Sequence, residues 1–120
     1  SAIMHAGYDA VPGTLPAKMN ARGIKMLPQL SEELGFRFDR CGSLVLSFNE
    51  ADDKILDELM ERGRKNGNED LRILDPEEIF EIEPRIARNV RHALYSPHAG
   101  VADPFNLCYG NIANAVQNGE

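Results

Sequence analysis

Apolar residues recur at helical spacing in several segments of the chain. A first helix is predicted over residues 15–34, because Thr14 can cap its start and Gly35 suits its end. Pro28 falls inside this segment, so we expect a kink or a break near it. A second helix is predicted over residues 50–66, with an apolar stripe made of Ala51, Ile55, Leu56, Leu59 and Met60.

Two further helices are predicted from Asp-Pro pairs. Asp75 and Asp103 are each followed by Pro, a residue that suits the first turn of a helix. Glu78 completes a capping box with Asp75, so a short helix should follow and end near Pro84. The helix predicted over residues 105–117 carries apolar residues on more than one face, as expected for a helix packed on two sides.

Alternating runs between the helices predict short strands. One such run, residues 43–48, has an apolar face formed by Leu44, Leu46 and Phe48. Its other face is formed by Ser43, Val45 and Ser47. We expect the first face to pack on the helix at 50–66 and the second face to border a ligand cavity.

The remaining strands are short, and the spacing of all strands indicates the fold class. They are predicted at residues 36–40, 71–74, 90–96 and 100–102. Since the strands come in pairs joined by short links, with helices between the pairs, we expect an α+β fold with a mainly antiparallel sheet and helices packed on it.

Length, composition and charge exclude several classes of protein. A chain of 120 residues with 42% hydrophobic and 27% charged residues is typical of one folded domain and not of a disordered or fibrous protein. The formal net charge of −6 disfavours nucleic acid and anionic lipid as partners. No apolar run approaches the ~20 residues of a membrane span, and no signal-peptide pattern is present, so we expect a cytoplasmic location.

Cysteine, histidine and glycine spacing argues against several common sites. Cys41 and Cys108 are far apart and form no CxxC pair, so we expect a reduced compartment and two buried thiols. The three histidines lack metal-ligand spacing, and no metal site is expected. The ten glycines never occur as Gly-x-Gly, which excludes the usual dinucleotide fingerprint from this sequence.

The segment His5-Ala6-Gly7 is the main candidate for ligand contact. It places an imidazole next to backbone with little side chain, and such backbone can approach a flat ligand closely. From these residues alone, a ligand-contacting loop and an ordinary surface loop both stay open.

Longer motifs around this segment carry a family resemblance. The run Ser-Ala-Ile-Met-His-Ala-Gly-Tyr-Asp at residues 1–9 is followed by Pro-Gly-Thr-Leu-Pro-Ala-Lys-Met-Asn at residues 12–20. Together they resemble the FAD-dependent oxidoreductases of the D-amino-acid-oxidase-like superfamily. The resemblance is strongest to anaerobic-type glycerol-3-phosphate dehydrogenases and then to L-2-hydroxyglutarate oxidases. Residues 42–45 and 96–104 are similar to that family as well.

The resemblance implies a two-domain flavoenzyme with a substrate-binding, or cap, domain inserted into its FAD domain. Residues 1–120 would be one fragment of the cap domain, with FAD-binding segments missing on both sides. The isolated fragment is therefore expected to be inactive and to bind no FAD. If it is an insert, its two ends should lie on one side of the fold, with Ile3 and Met4 poorly buried.

The implied reaction is oxidation of the secondary alcohol of glycerol 3-phosphate to dihydroxyacetone phosphate by hydride transfer to flavin. Two alternatives stay open: an FAD-dependent oxidase of L-2-hydroxyglutarate or of another 2-hydroxy or amino acid, and a non-enzymatic binding module of the same fold. Pro16 and Pro28 depart from the family pattern, because they interrupt a helix that is continuous in relatives.

Carried over to this chain, the resemblance assigns roles to individual residues. Ser1, His5, Ala6 and Gly7 match the loop that passes the flavin ring. His5 is the candidate catalytic base, because histidine suits proton transfer near neutral pH, and orientation of the flavin is its rival role. The candidate substrate-binding residues are Tyr8, Ser43, Ser47 and Tyr95.

The implied partners are the FAD domain of the same parent chain and a small anionic substrate. A peripheral membrane or an electron-acceptor subunit would be a partner of the parent, and the location would then be membrane-associated through that partner. The fragment is also expected to self-associate through the face that the FAD domain would cover.

Overall fold

A computed structural model of the chain describes residues 2–119, which form four helices and six short strands. In chain order, the elements are β1 (Ile3–Met4), α1 (Leu15–Leu34), β2 (Phe38–Asp39), β3 (Ser43–Ser47), α2 (Glu50–Lys65), β4 (Arg72–Leu74), α3 (Pro76–Ile82), β5 (His92–Ser96), β6 (Gly100–Ala102) and α4 (Pro104–Gln117).

The six strands form two antiparallel sheets of three strands each. In one sheet, β6 lies between β1 and β2. In the other, β5 lies between β3 and β4, with Ser43 opposite Ser96 and Ser47 opposite His92. The α+β class with antiparallel strands is confirmed, although there are two small sheets and not one. The two-residue strand β1 was not predicted, because so short a strand shows no alternation.

The helix α1 begins and ends as predicted, but it has no break. The Thr14 hydroxyl accepts a hydrogen bond from the Ala17 amide, and Gly35 adopts a left-handed φ of 69° at the other end. The helix continues through Pro28, because the loss of one backbone donor is tolerated within a 20-residue helix. Pro16 lies in the first turn, where no backbone donor is required, so neither proline interrupts the helix.

Side-chain caps start the other three helices where the sequence predicts them. The Asn49 side-chain oxygen accepts hydrogen bonds from the first-turn amides of α2 at 2.9 and 3.0 Å. Asp75 and Glu78 form the predicted capping box of α3. Asp103 accepts two amide hydrogen bonds at 3.0 Å at the start of α4. These caps fix the residues at which the three helices begin.

The two faces of β3 are the reverse of the prediction. Leu44 and Leu46 pack on the α3 side of the sheet, against a buried cluster formed by Leu74, Ile79, Val90 and Ala93. Val45 packs on the α2 side, against Leu56, Leu71 and Leu94. Alternation shows which residues share a face, but it does not show which helix covers that face.

Fewer residues of α2 are buried than its predicted apolar stripe contains. Leu56 is almost fully buried, and Leu59 and Met60 are half-buried at the edge of the same cluster. Ala51 and Ile55 are exposed, so the prediction is wrong for these two residues. One side of α2 thus packs on the sheet, and most of its remaining surface is exposed to solvent.

Both cysteines are exposed and free, contrary to the prediction that they are buried. Cys41 lies in the short connection between β2 and β3, and Cys108 lies on α4. Among the described residues of α4, none is buried, so a cysteine there has no core to enter.

The described chain is elongated, with extents of 55 × 33 × 20 Å and a radius of gyration of 16.6 Å. A compact domain of 120 residues has a radius of gyration of about 13.5 Å. The accessible surface is 7918 Å², whereas a compact monomer of this mass exposes about 6,500 Å². The excess exceeds about 1,000 Å², which is the scale of an interface between two domains.

Much of the exposed apolar surface lies on α4 and α1. Four exposed residues at helical spacing, here called the α4 stripe, are Phe105, Tyr109, Ile112 and Val116. On α1 only Ala17 is buried, while Leu15 and Met19 are exposed. None of the helices in the described part of the chain combines the length and apolar character needed to cross a membrane.

The beginning of the described chain lies beside the start of α4. Ile3 is opposite Val101 in the β1–β6 pair, and β6 leads directly into α4. Ile3 is 61% exposed and Met4 is half-buried, as expected for a surface that another domain would cover. That the chain is an insert stays a prediction.

An ion-pair cluster around Asp53 fastens the first turns of α2 to the sheet. One carboxylate oxygen accepts a hydrogen bond from the Ser47 hydroxyl at 2.7 Å and lies 3.1 Å from His92 Nδ1. The other accepts two hydrogen bonds from Arg91 at 2.9 and 3.0 Å. The Ser47, Arg91 and His92 contacts hold the pKa of Asp53 well below its usual range.

We predict that Asp53 contributes stability that disappears in acid. Because the carboxyl pKa is lower in the folded than in the unfolded protein, the contribution is present above the unfolded pKa of about 3.9 and is lost as pH falls below it. Asp53→Asn should therefore be less stable at pH 7 and should lose less stability between pH 5 and 2. Urea unfolding across this pH range measures both effects.

The matched control is Asp57→Asn, which removes an exposed carboxylate one turn further along α2. Its carboxylate takes no part in the four hydrogen bonds made to Asp53, so this variant should keep the acid loss of the unmodified chain. Equal pH dependence of the Asp53→Asn variant and the unmodified chain would contradict the assignment.

Candidate functional site

The segment of residues 5–10 runs from β1 across the C-terminal end of α2 and is called the His5 loop below. The His5 side chain is 58% exposed, whereas the next residue, Ala6, is almost completely buried. The loop thus presents an imidazole on its outer side and small residues towards the protein.

A small residue is required at position 7. Gly7 has a left-handed φ of 86° and is buried. A Cβ atom there would lie 3.3 Å from the Asn20 side-chain oxygen and 3.8 Å from Ile24 on α1. Any other residue would meet both backbone strain and contact with α1, so glycine lets the loop pass close to this helix.

Asparagine side chains at the end of α2 hold the loop by its carbonyl oxygens. Asn66 Nδ2 donates to the carbonyls of Gly7 and Ala10, at 2.8 Å each. Asn68 Nδ2 donates to the Ala6 carbonyl at 2.5 Å. Neither asparagine was predicted from the sequence, because an Asn-Gly pair after a helix indicates only that the helix ends.

The α2 helix also allows the loop to approach closely. A Cβ atom at Gly63 would lie 3.1 Å from Tyr8 Cβ and would overlap the Leu71 side chain. Arg62, one residue earlier, donates to the Asp9 carbonyl at 3.0 Å. The last turns of α2 therefore provide both the space and the donors for the loop.

Asp9 is the charged neighbour of the candidate base. Its carboxylate oxygen lies 3.5 Å from His5 Nδ1, four residues earlier in the chain. Both side chains are more than half exposed, so this is a surface ion-pair contact that keeps the carboxylate close to the imidazole.

The four predicted substrate residues do not lie together. Tyr8 and Ser43 are neighbours, with 3.3 Å between their hydroxyl oxygens. Ser47 lies at the other end of β3, is fully buried, and donates to Asp53. Tyr95 lies on the opposite face of the sheet, where the Arg72 guanidinium lies 5.8 Å from its ring centroid. Ser1, the remaining predicted site residue, lies outside the described residues.

A cleft of about 210 Å³ is lined by residues of the loop, of α1 and of the α2–β4 connection. Ala6 and Gly7 line one wall, and Ala21 and Ile24 line another. The volume is below the 300–1,000 Å³ that is usual for small-molecule sites. This cleft alone is too small to enclose a large cofactor.

The chain is similar to known proteins over almost its whole length. The family model described as FAD dependent oxidoreductase (DAO) matches residues 1–119. The chain is 45% identical over 119 residues to a glycerol 3-phosphate dehydrogenase of Caloramator mitchellensis, which covers 99% of this chain. It is 34% identical over 113 residues to the mitochondrial L-2-hydroxyglutarate dehydrogenase of Nematostella vectensis, which covers 92% of this chain.

A solved structure gives the same result for the fold. The L-α-glycerophosphate oxidase of Mycoplasma pneumoniae, dithionite-reduced and with FAD bound, has a TM-score of 0.89 and 30% identity over 98% of this chain. The matched region is 32% of that oxidase, and the chain spans about a quarter of the length of the two relatives above. The predicted similarity to glycerol-3-phosphate dehydrogenases is confirmed.

Proposed function

Since this chain belongs to the family of FAD-dependent oxidoreductases, we propose that it is part of the substrate domain of a glycerol-3-phosphate dehydrogenase. The parent would oxidise the secondary alcohol of glycerol 3-phosphate to dihydroxyacetone phosphate. The observation that carries the proposal is the exposed His5 imidazole on a loop whose next residues are buried and held by hydrogen bonds.

The residue that would hold a flavin against the outer side of the His5 loop is His5, whose side chain is exposed there. Ala6 and Gly7 are buried and face the protein, where the absence of a side chain at Gly7 lets the loop pack closely on α1. The chemistry that FAD supplies when bound is acceptance of the hydride from the carbon that carries the hydroxyl. The described residues would form only the edge of that site, because their cleft is small.

The role of this chain in the reaction is to accept the proton of the substrate hydroxyl. His5 would accept the proton as the substrate carbon is oxidised, with the Asp9 carboxylate close to its imidazole. The rival role, in which His5 only orients the flavin by a hydrogen bond, requires no titration of its ring. A pH profile of substrate oxidation separates the two roles.

The anionic end of the substrate calls for polar and basic groups near the loop. Tyr8 and Ser43 offer two adjacent hydroxyls on the side of the sheet that faces α2.

Glycerol 3-phosphate is favoured over L-2-hydroxyglutarate because the 45% identity to the first type of dehydrogenase exceeds the 34% identity to the second.

We expect the full-length parent, loaded with FAD, to prefer glycerol 3-phosphate to L-2-hydroxyglutarate by more than about 10²-fold in kcat/KM. The assay uses an artificial electron acceptor.

His5→Gln should lower kcat by about 10² to 10⁴-fold if His5 is the base, while the FAD content stays the same. Orientation of the flavin predicts a smaller loss and an unchanged pH profile.

Glu58→Gln is the control for this experiment. Glu58 is exposed on α2 and lies outside the lining of the cleft beside the His5 loop. This variant should keep turnover within about two-fold of the unmodified enzyme, because an exposed side chain away from the site contributes little. Full turnover by His5→Gln, or a preference for L-2-hydroxyglutarate, would contradict the proposal.

The partner that best fits the α4 stripe is the FAD domain of the same parent chain. The stripe is exposed in the described residues, and the relatives are about four times longer than this chain. The excess of accessible surface is that of one domain interface. A second copy of the chain is the competing occupant when the fragment is isolated.

We predict that Ile112→Glu in the full-length parent lowers its thermal midpoint and its retention of FAD, because the glutamate would be buried without a partner. Ile55→Glu is the matched control, since Ile55 is 52% exposed on α2 while Ile112 is 61% exposed on α4. Differential scanning calorimetry and flavin absorbance measure the two effects. Equal behaviour of both variants would mean that the α4 stripe faces solvent in the parent.

A further inference from the structure

The His5 loop depends on side chains for its hydrogen bonds. Among the described residues, the backbone of residues 6–10 makes no hydrogen bond to other backbone groups. The carbonyls of Ala6, Gly7 and Ala10 accept from two asparagines, and the carbonyl of Asp9 accepts from Arg62. The conformation of the loop is therefore set by α2 and the residues that follow it.

Asn66 has one N–H group for each of the two loop carbonyls that it contacts. Its amide nitrogen carries two N–H groups, and each donates to a different carbonyl at 2.8 Å, one on either side of Tyr8 and Asp9. A single side chain thus fixes both ends of the segment from Gly7 to Ala10. Neither serine nor aspartate could supply both donors from this position.

The orientation of the Asn68 amide costs free energy, because it leaves one buried polar atom without a hydrogen bond among the described residues. Its Nδ2 atom donates to the Ala6 carbonyl, while its Oδ1 atom is buried and has no hydrogen-bond partner within the described residues. Exchange of the two amide atoms would place Oδ1 against a carbonyl oxygen. The Nδ2 atom also lies 3.5 Å from the Ser96 hydroxyl oxygen, so this orientation serves two donor contacts, of which the one to the loop is the shorter.

We propose that Asn66 and Asn68 are positioning residues, which hold the His5 loop so that His5 meets the substrate or flavin in the reactive geometry. Asn68 acts on the peptide next to His5, and Asn66 acts on the following turn. This inference rests on the proposed function of His5. A loop displaced by about 1 Å would lower the rate about 10²-fold without removing any group from the reaction.

The test uses the full-length, FAD-loaded parent enzyme with Asn66→Asp and Asn68→Asp, assayed with glycerol 3-phosphate. Each change keeps the size of the side chain but turns a donor into a carboxylate that faces a carbonyl oxygen. We expect kcat to fall about 10²-fold while KM changes by less than about three-fold and FAD content stays the same. Asn89→Asp, an exposed asparagine before β5, is the matched control and should keep turnover.

A double-variant cycle separates positioning from general loss of structure. If the asparagines act through His5, Asn68→Asp should have little further effect in the His5→Gln background. Additive losses in the double variant, or normal turnover of both single variants, would overturn the inference. If Asn66→Asp does not fold, Asn68→Asp alone decides the outcome, because it contacts only the Ala6 peptide in the loop.

The failure of this inference can be told apart from the failure of the proposed function. Normal turnover of His5→Gln rejects the role of His5 itself. A large loss with His5→Gln, together with normal turnover of the asparagine variants, rejects only the positioning role.

Discussion

The hydrogen bonds from the end of α2 to the carbonyls of the His5 loop are the contact on which the candidate site depends. The loop has no backbone partners of its own among the described residues, so Asn66 and Asn68 set its path. The helix itself is about 24 Å long, and Asp53 fastens its first turns to the sheet. It therefore acts as a rigid connection between the sheet at one end and the loop at the other.

Local chemistry allowed most of the fold to be predicted. Thr14, Asn49, Asp75 and Asp103 act as caps through contacts with residues at most three positions away, and such contacts are visible in a sequence. The assignment of the β3 faces failed because it depends on which helix crosses the sheet, which is a long-range property. The exposed Cys108 was mispredicted for a related reason, since its helix has no core of its own among the described residues.

The candidate site was only partly accessible to sequence reasoning. His5, Ala6 and Gly7 were found from a motif that resembles a family. Asn66 and Asn68 lie about 60 positions further along the chain, and no local pattern links them to the loop. Ser47 lies on β3 with Ser43, and Tyr95 lies on the neighbouring strand β5. Ser47 is nevertheless buried beside Asp53, and Tyr95 lies on the opposite face of the sheet. The elongated shape and the exposed α4 stripe fit a chain that completes its core with another domain.

The most direct test of this account is a crystal structure of the full-length parent with FAD and a glycerol 3-phosphate analogue. It should place His5 Nε2 within about 3.2 Å of the hydroxyl of the analogue or of the flavin ring. The Asn66 and Asn68 hydrogen bonds to the loop should be retained in that complex. A His5 side chain directed away from both groups, with the loop released from α2, would contradict the account.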